Sequence, residues 1–229
     1  MEMFLFPSKV EYMETDNPNV GKVILEPCYF GYGTTIGNSL RRVLLSSLPG
    51  AAVSAVKIDG VDHEFSGKDG VKEDVLEILL NLKRLRLKTF GDEPVRLTLE
   101  AKGKKIVTAK DIAKNSAVEI INKDLVIATL TDSKAELKME LIVDNGRGYV
   151  PKDQKKLENL EANAMVIDSI YSPVLNVGYK VDDVRVGQTT DYDKLIMTVE
   201  TDGTITPKAA VEQATQILID YLQPLLNNK

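Results

Sequence analysis

A glycine-rich segment, GYGTTIG at residues 31–37, is the closest match in this sequence to a phosphate-binding loop. Such loops bind phosphate through backbone N–H groups at the start of a helix. A dinucleotide fingerprint places its third glycine one residue earlier, and a P-loop requires a Gly-Lys-Ser/Thr that this segment does not contain. We therefore interpret these glycines as structural. An acyl- or phosphoryl-transfer site built on this loop is the competing hypothesis.

The other residues that could act in catalysis or bind a metal are not grouped as such chemistry requires. His63 is the only histidine and has no second histidine or cysteine nearby to complete a metal site. Asp182 and Asp183 are neighbours on a predicted strand and point to opposite faces. Asp191 and Asp193 fit capping and turn roles better than a metal site. We expect no catalytic residue, no metal site and no cofactor in this chain.

The composition is that of an ordinary globular protein. The chain has 229 residues, 43% of them hydrophobic and 28% charged, and a net charge of −5, which argues against nucleic-acid binding through the overall field. Its single cysteine, Cys28, excludes an intrachain disulfide and favours a reducing compartment. The N-terminus is too short and too acidic for a signal peptide, and no apolar run is long enough to span a bilayer. We expect a cytoplasmic protein without membrane contact.

The helix predicted after the glycines has two apolar faces. Its main stripe recurs at helical spacing and consists of Ile36, Leu40, Val43, Leu44 and Ser47. About 140° away, Leu45 lies between Arg41 and Arg42. Because an ordinary surface helix presents only polar groups there, the pattern indicates contacts on two sides. Leu48 follows next to this second face, and Pro49-Gly50 ends the helix.

Two further helices are predicted. The first covers residues 71–82, with Asp69 as the expected N-cap, and is apolar around most of its circumference. The second covers residues 207–222 with Thr206 as its N-cap, and Pro224 is expected to bend or end it. Its broad apolar face comprises Val211, Ala214, Leu218, Leu222 and Leu225, and is wider than one sheet contact needs.

Residues 84–143 follow a period of two, which predicts a half-exposed antiparallel sheet. Asn145-Gly146 predicts a turn, and the charged residues 152–163 predict a loop or a short solvated helix. Strands are also expected at residues 22–26, 52–58, 177–181 and 195–200. The pattern therefore indicates an α+β fold.

The first and last helices bear more apolar surface than a single contact uses. If four or five large side chains per protomer leave water on association, the gain is about 6–15 kcal/mol before association costs. That is enough for a stable dimer. Packing of the two helices on each other within one monomer fits the pattern equally well.

Several segments together identify a resemblance to a known family. The segment GTTIGNSLRRVLLSS at residues 33–47 resembles the first helix of the bacterial RNA polymerase alpha subunit. Family signatures are matched in the same order by VKEDVLEILLNLK at 71–83, GRGYVP at 146–151, YSPV at 171–174, and 188–195 with Asp191 and Lys194. The resemblance extends over essentially the whole chain.

The resemblance implies a specific architecture. It predicts a discontinuous dimerisation domain, an antiparallel sheet with two long helices, formed by residues 1–50 together with 174–229. An inserted strand-rich domain would occupy residues 51–173. Family members continue through a linker into a small helical carboxy-terminal domain that contacts promoter DNA and activators. We expect that domain to be absent from this chain, and DNA contact to be only indirect.

The resemblance also implies a non-catalytic scaffold that homodimerises and nucleates the assembly of the beta and beta-prime subunits, with omega and sigma in the full polymerase. At the matching positions, Arg41, Arg42 and Leu45 would bind beta, Arg42 most directly. Lys83 and Ile167 would bind beta-prime. The dimer interface would comprise Ile36, Leu40, Val43, Leu44, Val211, Ala214, Leu218 and Leu222.

One alternative comes from a local cluster of positive charge. Arg84, Arg86 and Lys88 lie close together in the sequence and could serve a stand-alone nucleic-acid-binding protein. Steeply salt-dependent DNA binding by the isolated chain would support that interpretation.

Overall fold

The computed structural model of the chain describes residues 5–155, 163–186 and 189–226. The fold is α+β, with three α-helices and antiparallel strand pairing within the described residues. The strands are β1 (Lys9–Glu14), β2 (Val20–Tyr29), β3 (Pro49–Ile58), β4 (Leu87–Thr89), β5 (Val95–Lys102), β6 (Lys105–Thr108), β7 (Val118–Ile120), β8 (Val126–Leu130), β9 (Glu136–Arg147), β10 (Tyr149–Val150), β11 (Met165–Val166), β12 (Ser169–Ile170), β13 (Val174–Val186) and β14 (Thr189–Thr201). The helices are α1 (Tyr32–Ser46), α2 (Val75–Leu82) and α3 (Pro207–Leu226), with single 3-10 turns at Ala109–Asp111 and Lys152–Gln154.

The chain divides into two compact units. Unit 1 comprises Met1–Leu48 and Ser172–Lys229, and unit 2 comprises Pro49–Tyr171. Unit 1 contains a four-stranded antiparallel sheet in the order β1-β2-β14-β13. Helices α1 and α3 pack against this sheet and against each other. The core between them consists of Leu44, Leu48, Val174, Val177, Met197, Val199, Ala210, Val211 and Ala214.

Unit 2 is built on a sheet in the order β5-β9-β3-β4-β7, with β11 beside β3. Burial alternates along β5 and β9, as expected for strands with one face towards a core. Helix α2 contributes Val75, Ile78, Leu79 and Leu82 to the core. Two two-stranded sheets, β6–β8 and β10–β12, complete the unit. The predicted half-exposed antiparallel sheet between residues 84 and 143 is confirmed.

The start of α2 was predicted wrongly. The helix begins at Val75, and its N-cap is Asp74 rather than Asp69, with the Asp74 carboxylate accepting from the Glu77 N–H at 2.7 Å. The preceding residues bind β8 instead. Glu73 accepts hydrogen bonds from the backbone N–H and the hydroxyl of Thr129. This tertiary pairing keeps residues 71–73 out of the helix.

The turn predicted at Asn145-Gly146 is absent from the described chain, and Pro224 does not end α3. Asn145-Gly146 lies inside β9, paired with Ala51 and Gly50 of β3. Gly146 is required there because an added Cβ would lie 2.6 Å from the Tyr171 ring. Pro224 lies within α3, which continues to Leu226. Most of the loop predicted at residues 152–163 lies outside the described residues.

Candidate subunit interfaces

Helix α1 is held against the sheet of unit 1 through its glycines. Gly31 precedes the helix with φ of 82°, a left-handed conformation that favours glycine. A Cβ on Gly33 would lie 2.9 Å from Asp193, and one on Gly37 would lie 2.8 Å from the Tyr179 ring. The predicted structural role of these glycines is confirmed: they allow the helix backbone to approach β13 and β14 closely.

A buried carboxylate caps the beginning of this helix. Asp193, which is 5% exposed, accepts a hydrogen bond from the Gly33 N–H at 2.9 Å. A negative charge is favourable at a helix N-terminus, and here it occupies the position that a bound phosphate would take. The capping role predicted for Asp193 is confirmed, whereas the side chain of Asp191 lies outside the described residues.

The opposite face of α1 presents the two arginines to solvent. Arg41 and Arg42 are exposed, and within the described chain neither forms an ion pair. Leu45 is 37% exposed beside them. Two uncommitted guanidinium groups around an apolar side chain can anchor partner carboxylates in bidentate fashion while the leucine excludes water. Leu48, predicted to belong to this face, is instead fully buried.

The two ends of α3 differ in burial. Its first half packs into the core of unit 1 through Ala210, Val211 and Ala214. Its last two turns are exposed and, except for Asp220 and Gln223, apolar. The large side chains there are Ile219 (51% exposed), Tyr221 (78%), Leu222 (58%), Leu225 (73%) and Leu226 (86%). Contiguous apolar surface of this kind is typical of a protein interface.

The residues predicted for the dimer interface fall into two groups. Leu44, Val211 and Ala214 are at most 4% exposed and belong to the core of their own protomer. Because α1 packs on α3 within one chain, these three have no free surface for a second copy, and their assignment to the interface is corrected. Ile36, Leu40, Val43 and Leu218 are partly exposed, and Leu222 is exposed.

The structure brings the two residues predicted to bind beta-prime to the same part of unit 2. The Lys83 amine lies 2.7 Å from the carboxylate of Asp168, the residue after Ile167. Ile167 itself is 2% exposed and packs in the core of unit 2. Its side chain therefore cannot form a contact surface, and the accessible groups at this point are Lys83 and Asp168.

Asp168 is the functional candidate that the sequence prediction missed. The hydrogen bond from Lys83 lowers its pKa, and the Lys152 N–H, which donates to its second oxygen at 2.8 Å, lowers it further. The pair ties the end of α2 to the segment between β11 and β12. No signal in the sequence links residues so far apart.

Lys155 anchors the same region from inside. Its amine donates to the Ile167 carbonyl at 2.7 Å and to the Ser169 hydroxyl, and lies 5.6 Å from the centre of the Tyr171 ring. Burial lowers the pKa of Lys155. In the sequence this lysine is one of several in a charged run, so its half-buried position could not be predicted.

The remaining candidates for chemistry are dispersed. His63 is exposed, and Cys28 is buried at 1% exposure, where desolvation raises the pKa of its thiol. Among the described residues, no group of three His, Cys, Asp or Glu side chains could hold a metal ion. No helix in the described ranges combines the length and the hydropathy needed to cross a membrane.

Comparison with known proteins agrees with the resemblance seen in the sequence. The sequence model of the family described as RNA polymerase Rpb3/RpoA insert domain matches residues 56–172 of this chain. The DNA-directed RNA polymerase subunit alpha of Alkaliphilus oremlandii (strain OhILAs) is 51% identical over 223 residues, which cover 97% of this chain and 70% of that protein. The subunit alpha of Carboxydothermus hydrogenoformans is also 51% identical, over 219 residues covering 96% of this chain and 69% of the relative. The chain therefore belongs to the family of bacterial DNA-directed RNA polymerase alpha subunits.

Proposed function

We propose that this chain is the assembly scaffold of a DNA-directed RNA polymerase. Unit 1 is the discontinuous dimerisation domain, and unit 2 is the inserted strand-rich domain. The homodimer nucleates assembly of the beta and beta-prime subunits, with omega and sigma joining the full complex. Nucleotide addition and template DNA belong to the partner subunits, so this chain contributes binding energy and geometry to transcription.

The observation that carries the proposal is the apolar surface that unit 1 leaves uncovered. The exposed last turns of α3 adjoin the partly exposed Leu218, and α1 adds Ile36, Leu40 and Val43. Each large side chain transferred from water contributes about 1.5–3 kcal/mol. Four or five of them per protomer exceed the lower estimates of about 4 kcal/mol for the cost of association. A second copy of unit 1 would cover this surface.

The beta subunit is proposed to bind the exposed face formed by Arg41, Arg42 and Leu45. Both guanidinium groups are available because, within the described chain, they have no internal partner. Arg42 is expected to contribute most. Truncating an arginine that pairs with a partner carboxylate inside a desolvated interface typically causes a large loss of binding.

The beta-prime subunit is proposed to bind at Lys83, with Asp168 in place of Ile167 as the second contact. Lys83 is already paired, and its side chain is 24% exposed. This pair therefore presents a fixed, nearly neutral polar surface. We expect it to determine orientation more than affinity.

Co-expression with a tagged beta subunit tests the proposal. Arg42→Ala is expected to reduce the alpha captured by beta at least tenfold while the alpha dimer keeps its mass. Arg84→Ala is the matched control, because Arg84 is an exposed arginine of unit 2 outside this surface, and it should leave capture unchanged. Equal loss of beta binding and dimer mass in Arg42→Ala would overturn the assignment of Arg42.

A further inference from the structure

Unit 2 contains a cleft of about 590 Å³ that none of the proposed interfaces uses. Leu97 of β5 and Val118 of β7 line it, and both side chains are at most 8% exposed. These strands are the two edges of the sheet β5-β9-β3-β4-β7. The cleft therefore lies between the two edge strands of this sheet. Its apolar floor also includes Ile112.

The walls of the cleft are fixed by backbone hydrogen bonds. The Ala113 N–H donates to the Thr98 carbonyl at 2.8 Å and attaches one wall to β5. The Phe90 N–H donates to the Ala117 carbonyl at 3.0 Å, which fixes the Phe90 backbone at the rim. The residue is 62% exposed, and the Lys88 amine lies 5.9 Å from the centre of its ring. A site of this kind exists before its ligand arrives, so binding carries little ordering cost.

The rim is positively charged in a protein whose net charge is −5. Lys110, Lys114 and Lys123 line the cleft, against one acidic residue, Glu119. Lys110 is paired with Asp124. Across the described part of the chain, Lys114 and Lys123 have no ion-pair partner. Two free cations beside an apolar floor are complementary to carboxylates that flank an apolar side chain.

The open strand edge favours an extended ligand. Within the described residues, β4 is the one strand beside β7. The other edge of β7 carries a single bridge, in which the Val118 N–H donates to the Asn115 carbonyl at 3.3 Å, and is open beyond it. An extended peptide can add to such an edge through its main chain while its alternate side chains enter a pocket. We propose that this cleft binds an extended segment of a partner protein, in which one apolar anchor residue is flanked by acidic residues.

The experiment titrates fluorescein-labelled acidic peptides into the intact alpha chain. The panel carries Leu, Phe or Trp as its central residue, and a matched peptide carries Ser there. Saturable binding is expected for at least one apolar anchor, and at least tenfold weaker binding for Ser. The backbone amide resonances of Val118–Ile120 should shift on binding. No saturable binding across the panel, or equal binding of the Ser peptide, would overturn the proposal.

Variants assign the binding to the cleft. Lys114→Glu with Lys123→Glu should weaken binding at least tenfold, and Phe90→Ala severalfold. Lys104→Glu with Lys134→Glu makes the same charge change on exposed lysines outside the cleft. An equal loss of peptide binding in this control would show that the change in net charge, and not the cleft, causes the weaker binding. That result would contradict the proposed site. Tighter binding of a single-stranded oligonucleotide, lost in the same cleft variants, would instead identify a nucleic-acid surface.

Discussion

At the scale of single residues, the cationic side chains that the sequence indicated as partner contacts differ in whether they already form an ion pair. Arg41 and Arg42 extend into solvent from α1 without an internal partner in the described chain. The amine of Lys83 is committed to Asp168 at 2.7 Å. Truncating a free surface arginine has little structural cost, so its effect falls on partner binding. Changing Lys83 also changes the electrostatics of its own unit.

The Asp168 carboxylate should titrate below its ordinary pKa of 3.8, because Lys83 and the Lys152 N–H stabilise the charged form. This contribution to stability is present above pH 3.8 and is lost as the pH falls through the lower, folded-state pKa. Carbon-detected NMR titration measures the shift directly.

Lys83→Ala should move the pKa of Asp168 back towards 3.8 without fully restoring it, because the Lys152 N–H remains. Lys104→Ala, at an exposed lysine outside this pair, should leave it unchanged. An unaltered pKa of Asp168 in Lys83→Ala would show that the ion pair does not persist in solution.

At this scale, prediction from the sequence succeeded where the cause was local. Helical spacing alone predicts that Arg42 lies away from the stripe containing Leu44. The partner of Lys83 is 85 residues away, and the burial of Ile167 depends on the packing of unit 2. Neither the partner of Lys83 nor the burial of Ile167 could be predicted from the spacing of residues that are close in the sequence.

At the scale of elements, α1 is defined by contact with the sheet more than by helix propensity. Two glycines within one helix lower its intrinsic stability by about 1 kcal/mol each relative to alanine. Gly33 and Gly37 are nevertheless fully enclosed, because the helix backbone lies against Asp193 and Tyr179. Close packing therefore outweighs propensity at these two positions.

Gly37→Ala should destabilise the protein by about 1–3 kcal/mol, because the new methyl group overlaps the Tyr179 ring and Leu195. Gly178→Ala, where a Cβ meets nothing within 4 Å, should change stability by no more than about 0.5 kcal/mol. Urea unfolding at one fixed protein concentration compares the two. A neutral or stabilising Gly37→Ala would contradict the close approach of α1.

The elements best predicted were those with long, regular periodicity, such as β9 and α3. The boundaries failed where distant residues intervene. Residues 71–73 carry helical spacing, yet Glu73 and Lys72 bond to Thr129 and hold this stretch beside β8. The Asn-Gly pair at residues 145–146 carries a turn signal, but pairing with β3 keeps it extended. In both cases tertiary hydrogen bonds override the local preference.

At the scale of the whole molecule, each unit has its own core and its own proposed partners. The core of unit 1 uses the buried half of α3. The other half, ending in Leu225 and Leu226, is exposed. This division explains why the apolar face of α3 is broader than one contact needs: one part serves the protomer, and the proposed dimer would use the rest.

Leu222→Asp should convert the dimer to monomers, because it places a charge in the proposed interface without touching the core of unit 1. Leu80→Asp is the matched control, since Leu80 of α2 is 50% exposed and Leu222 is 58% exposed. Size-exclusion chromatography with light scattering should show a dimer for Leu80→Asp only. Circular dichroism should show both variants folded. If Leu222→Asp still forms dimers, the exposed end of α3 is not part of the interface.

The mass of the unmodified chain in solution tests the central claim most directly. Sedimentation equilibrium over a range of micromolar concentrations should give a single species of twice 25.3 kDa, the mass of one chain. A species of 25.3 kDa across that range would mean that the exposed end of α3 has no second copy to cover it, and would contradict the proposed scaffold.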